Sequence, residues 1–260
     1  MTIARALHSE MLRLRHSPLV AAHIVCGVVG GAACGAYFAV ATWDPLMGAD
    51  AFAQFLGALM PLMSAIACGL AMDEERAAGR LANLTSAPSR GIAGAAAWLA
   101  LVALGALALM LAFAVFGLAL AAVGRLAAGP APLALAWAGT LAGSLPVYAL
   151  ALAIALRFGR NAAIGAGAAA TFVAFFSVGG LAHGLMTGEL TGAASAGIFG
   201  WVPTSWAARL GSLGVESVID ASRAAAPLTA LAPACLALAA VALALFIGWF
   251  RRFEDGRSDG

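Results

Sequence analysis

The stretch Gly91–Val123 contains no Asp, Glu, Lys or Arg. It is longer than the roughly twenty apolar residues that a helix needs to cross bilayer hydrocarbon. Comparable charge-free runs recur along the chain. In lipid, such a run must satisfy its backbone amides and carbonyls internally, and at this length only a helix does so. The composition agrees: 63% of residues are hydrophobic, 10% are charged, and the mean hydropathy is +0.97. Soluble domains are about 45–50% apolar and about 25% charged. The chain reads as an all-α integral membrane protein.

The runs predict six transmembrane helices, at 19–42, 52–72, 95–122, 133–156, 161–181 and 228–250. Residues 1–18 predict an interfacial helix, with Ile3, Leu7, Met11 and Leu14 on one face and Arg5, Ser9 and Arg13 opposite. Ser17-Pro18 then breaks it. A small-residue approach to Cys34 invites a lipoprotein-type cleavage reading, but the apolar run continues to Thr42 and is long enough to span. Residues 182–227 carry Trp201, Val202, Trp206 and Leu210 around Pro203, with charges spaced between. They predict re-entrant or amphipathic helices on the outer side, which need protein or water around their backbone.

All fourteen basic residues are Arg. With six spans, Arg5, Arg13, Arg15, Arg76, Arg80, Arg90, Arg157, Arg160, Arg251, Arg252 and Arg257 share one side, and Arg125, Arg209 and Arg223 the other. That asymmetry places both termini in the cytoplasm of a cell-membrane protein. Trp43, Trp98, Trp137 and Trp249 fall near span ends, where indoles favour the headgroup level. Cys26, Cys34, Cys68 and Cys235 all lie in apolar runs, which argues against a disulfide framework.

The missing lysine excludes a P-loop, whose Lys reaches the terminal phosphates. No His-Glu-x-x-His or Gly-x-Ser-x-Gly motif occurs, and His8, His16, His23 and His183 are scattered. No Asp, Glu or Arg lies inside a predicted span, so the ionisable mid-membrane residue of an ion-coupled carrier is missing. Gln54, Ser64, Thr140, Ser144 and Tyr148 are uncharged candidates for lining a path or bridging helices. Pro61 and Pro146 are expected to kink their spans. Gly27, Gly31 and Gly35, and again Gly180, Gly184 and Gly188, recur four apart. Small residues at this spacing allow close helix approach, at a subunit interface or within the chain.

Between the second and third spans lies the charged segment 73–90, Asp-Glu-Glu-Arg-Ala-Ala-Gly-Arg-Leu-Ala-Asn-Leu-Thr-Ser-Ala-Pro-Ser-Arg. Charges of this density cannot sit in hydrocarbon, so the segment must lie at a membrane face that another protein can reach. Glu74-Glu75-Arg76-Ala77-Ala78-Gly79-Arg80-Leu81, closing with Ser86-Ala87-Pro88-Ser89-Arg90, is similar to the coupling segment of the ABC type-2 permease family. The layout of an amphipathic start, six spans and a structured outer segment before the last resembles that family too. The start Ser9-Glu10-Met11-Leu12-Arg13-Leu14-Arg15-His16-Ser17-Pro18-Leu19 resembles permeases of lantibiotic-immunity exporters.

The resemblance implies a permease with no cofactor of its own. Two ATP-binding subunits would carry ATP and magnesium and dock on the coupling segment. Glu74, Glu75, Arg76 and Arg80 would contact the ATPase, with Leu81 and Leu84 as the apolar anchor. A second permease chain, identical or a sister subunit, would complete the path through the lipid bilayer. The cargo would be an amphipathic peptide antibiotic, exported for self-immunity. No nucleic acid partner is implied. The alternatives are a type-2 permease for a drug, lipid or glycan, a non-ABC carrier, and a membrane enzyme, for which no constellation of residues is found.

Overall fold

A computed structural model describes residues 2–42, 44–127, 129–177 and 200–253. Its regular elements are helical. Helix α1 is Ile3–Arg15, α2 Pro18–Val40, α3 Pro45–Gly79, α4 Ala82–Thr85, α5 Arg90–Ala122, α6 Ala131–Phe158, α7 Arg160–Ser177, α8 Trp206–Ile219 and α9 Ala221–Phe250. Five of these, α2, α3, α5, α6 and α9, are long and apolar enough to cross a membrane. Fold and composition together make this a multi-pass helical membrane protein.

The helices run past the expected span bounds in ways the backbone explains. Asp44 accepts from the amides of Leu46 and Met47, and Pro45 takes the first helical position. That start suits proline, whose missing N–H is not needed there. The helix that contains the second expected span therefore begins well before 52. It also runs through Asp73, Glu74, Glu75 and Arg76 to Gly79, so the first half of the charged segment is helix and not loop. The helix that contains the last expected span starts at Ala221, where Asp220 caps the Arg223 amide. The third and fourth begin at Arg90 and Ala131. The fifth expected span, 161–181, corresponds to α7, which has 18 residues and is not among the five. Residues 178–181, with Gly180, Gly184 and Gly188, lie outside the described residues, as does Trp43.

Helix α3 is the axis of the molecule, packed by α6, α7 and α8. The Phe52 ring stacks on Phe116 of α5 at 4.1 Å and meets Phe113 edge-on at 5.2 Å, a geometry aromatic pairs favour. Pro61 interrupts the α3 hydrogen-bond ladder, and Thr171 of α7 bridges the gap by accepting from the Leu62 amide at 3.0 Å. Gly167, one turn earlier in α7, lets that helix close on the Pro61 carbonyl. Helix α2 lies along α5. Helix α1 packs Ala6, Glu10 and Leu14 inward and leaves Ile3 and Met11 exposed. Trp98 is buried in the core and not placed at a surface.

Helix α8 is buried from Trp206 to Glu216 between α3, α6 and α9. A Cβ on Gly57 of α3, or on Gly139 or Gly143 of α6, would collide with its backbone. Helix α8, from the described part of 182–227, is thus packed among α3, α6 and α9.

Candidate functional site

The charged segment forms an elbow at one end of the bundle. Arg80 and Leu81 both adopt left-handed backbone geometry, at φ 53° and 63°. For non-glycine residues this costs roughly 1–2 kcal/mol each. The Arg80 amide donates to the Arg76 carbonyl, and the Leu81 carbonyl accepts from Leu84 and Thr85 to start α4. Leu81 and Leu84 are 0% and 1% exposed. Their burial offsets the strain and fixes the elbow to its own bundle.

Most of the charges expected to face a partner are wired into the chain. The Ser17 hydroxyl, at the α1–α2 junction, donates to both Glu74 oxygens at 2.9 and 2.7 Å. Glu75 is 1% exposed and lies 3.4 Å from Arg13 Nε of α1. Arg76 Nη2 donates to the Ala155 and Leu156 carbonyls at 3.0 and 2.7 Å. These are among the last carbonyls of α6, and that of Ala155 also accepts from the Gly159 amide at 3.0 Å. Arg90 spans from the Thr85 carbonyl, at 2.8 Å, to that of Phe253, at 2.9 Å. Of the six expected contact residues, Arg80 stands on the open surface, with Ala77, Ala78, Gly79, Ala82, Asn83, Ser86 and Pro88. Leu81 and Leu84 anchor inward, and Glu74, Glu75 and Arg76 link the elbow to α1, α2 and α6.

The glycine stripe of α2 has an equally specific partner. A side chain on Gly27 would meet the Ala108 backbone of α5, one on Gly31 the Ala112 backbone, and one on Gly35 the Ala119 and Phe116 positions. Gly27, Gly31 and Gly35 therefore serve packing within the chain.

Two further features were not legible as sites. An apolar cavity of about 380 Å³ opens between α2, α3 and α5, lined by Cys26, Val29, Phe55, Met60 and Met63, with His23 and Tyr148 as its polar groups. The His23 Nδ1 is 2.8 Å from the Leu19 carbonyl oxygen. The second feature is a buried polar cluster between α3 and α8. Gln54 Nε2 donates to Asp50 Oδ2 at 2.9 Å, and the Ser212 hydroxyl reaches both Asp50 and, at 3.3 Å, Glu216. Asp50 is 1% exposed and Glu216 8%. Asp50 lies before the expected span start and was excluded for that reason. The available signal was the pair of four-residue polar spacings, Asp50/Gln54 and Ser212/Glu216. Among the described residues no group of three or more His, Cys, Asp or Glu could hold a metal ion. All four cysteines are free thiols.

No family model matches the chain, and no curated protein matches it.

Proposed function

We propose that the chain is the membrane-spanning permease subunit of an ATP-driven ABC exporter of the type-2 kind, expelling a lantibiotic- or bacteriocin-type peptide. The observation that carries this reading is the elbow at 73–90. It is a strained, exposed knob whose roots are tied by ion pairs and hydrogen bonds to α1, α2 and α6. A partner gripping Arg80 and Asn83 would move those helices through Glu74, Glu75 and Arg76. ATP hydrolysis belongs to a partner subunit, because this chain has no lysine for a P-loop. The apolar, methionine-containing cavity suits the hydrophobic side chains of an amphipathic peptide. In this reading the elbow faces the cytoplasm with both termini, two ATP-binding subunits dock there, and a second permease chain completes the path.

The test is co-expression with the cognate ATP-binding subunit. Arg80→Glu combined with Asn83→Arg should cut co-purification several-fold and abolish efflux in a permease that still unfolds cooperatively. Undiminished co-purification and efflux would refute the docking surface.

A second reading, a proton- or ion-coupled carrier, is favoured by one observation. Asp50 and Glu216 are buried carboxylates at the α3–α8 contact, the residue type that marks ion pathways in membranes. Under that reading, Asp50→Asn would abolish transport driven by a proton gradient in vesicles lacking any ATPase. Under the exporter reading, ATP-driven efflux survives it.

A further inference from the structure

Helices α2 and α5 run side by side in the same direction: Gly27 meets Ala108, Gly31 meets Ala112 and Gly35 meets Phe116. His23 stands one turn before Gly27 on α2, level with the turn before Ala108, where Gly105 lies. The Tyr148 side chain reaches the same Gly105 from α6, hydroxyl foremost: a Cβ there would collide first with the hydroxyl and then with the ring behind it. His23 and Tyr148 both line the apolar cavity between α2, α3 and α5, so its two polar groups share one end of it. Helix α3 runs the other way. Its Phe52 meets Phe113 and Phe116 of α5, so Met60 and Met63, two and three turns further on, line the cavity beside the polar end. Phe55 lines the opposite end with Val29 and Gly30.

Both polar groups keep an atom available for a ligand. His23 is 9% exposed and Tyr148 1%. The Leu19 carbonyl, 2.8 Å from His23 Nδ1, can only accept, so Nδ1 carries the proton. In the neutral ring Nε2 is then a bare acceptor. Among the described residues no hydrogen bond forms at that nitrogen or at the Tyr148 hydroxyl. Buried polar atoms are nearly always paired, and this acceptor and this hydroxyl at one level fit a single complementary group. A ligand O–H can donate to His23 Nε2 while its oxygen accepts from the Tyr148 O–H. Methionine sulfur makes favourable contacts with aromatic rings, so Met60 and Met63 select a ring next to that hydroxyl. A cavity of ~150 Å³ takes benzene, so one of about 380 Å³ holds roughly fifteen non-hydrogen atoms. We propose that the cavity binds an apolar phenol, with its hydroxyl between His23 and Tyr148, its ring against Met60 and Met63, and an alkyl tail toward Phe55. The site holds under either transport reading, because it rests on the cavity alone.

The probe is radiolabelled 4-octylphenol, with binding to the purified chain in lipid nanodiscs measured by scintillation proximity. It should saturate with one-to-one stoichiometry. Of two competitors, 4-octylanisole keeps the oxygen without the proton, and octylbenzene has neither. At equal concentration in the bilayer, octylbenzene should compete about tenfold more weakly than the unlabelled phenol, with 4-octylanisole between them. Tyr148→Phe should weaken the phenol several-fold. His23→Leu should bring it down to the level of 4-octylanisole, whose own binding stays unchanged. Uptake that never saturates, or equal competition by all three compounds, would overturn the proposal without any variant. So would an undiminished preference for the phenol in a double variant, Tyr148→Phe with His23→Leu, that still unfolds cooperatively.

Discussion

Gly31 and Gly30 are adjacent in sequence and opposite in consequence. A side chain on Gly31 would run into the Ala112 carbonyl of α5, whereas around Gly30 nothing lies within 4 Å. Backbone cannot step aside as a flexible side-chain tip can. Gly31→Leu is expected to cost roughly 1–3 kcal/mol, the usual range for overpacking, and Gly30→Leu close to nothing. Thermal unfolding of both variants in the same detergent checks this, and equal melting temperatures would refute the assigned helix contact. A pH effect belongs at this scale too. The Ser222 hydroxyl, then the Arg223 and Ser222 amides, hold the exposed Asp220 carboxyl below its ordinary range. A depressed carboxylate contributes stability that is complete above its unfolded pKa of about 4 and is lost as pH falls through the folded value. Hydrogen exchange at the start of α9 should accelerate below about pH 4, and Asp220→Ala should remove that pH dependence.

At the scale of elements, the long apolar helices were legible because hydropathy alone decides them, as for α5 and α6. Their ends were not, because capping decides those. Asp44-Pro45 extends α3 outward past Asp50, and that extension brings a carboxylate into the helix that reading from 52 had left outside. The inner end was misread for a related reason. Asp73 to Arg76 look like loop by charge, yet remain helical because Arg76 and Arg160 pair with Asp73 at 3.7 and 3.3 Å and Arg76 bonds the α6 carbonyls. Removing that link in Arg76→Ala should destabilise the bundle by about 1–3 kcal/mol, the cost of leaving a buried polar group without its partner; the Ala155 carbonyl keeps the Gly159 amide. Arg76→Lys should recover only part, since one ammonium cannot reproduce a planar fork. Denaturant titration in mixed micelles measures both. Thr171→Val should also destabilise, because the Leu62 amide beside Pro61 loses its acceptor. Neither contact was readable beforehand: each joins residues some eighty or more positions apart, and the polar partner is a carbonyl or a hydroxyl that composition does not mark.

At the scale of the whole molecule, the account divides the labour between two proteins. Under the proposed function this chain would supply a lipid-embedded bundle with an exposed elbow, and a nucleotide-hydrolysing partner would supply the force. In that proposal the wiring of Glu74, Glu75 and Arg76 would make the elbow a lever and Arg80 to Ser86 its handle. The most direct test is site-specific photo-crosslinking in intact cells from position 83, where Asn83 stands on the exposed edge of the elbow. The account predicts a covalent adduct with an ATP-binding subunit, formed from the cytoplasmic side and lost when Arg80 is reversed to Glu. An unmodified position 83 in cells whose cargo efflux is normal, or an adduct formed only by reagents confined to the cell exterior, would contradict it.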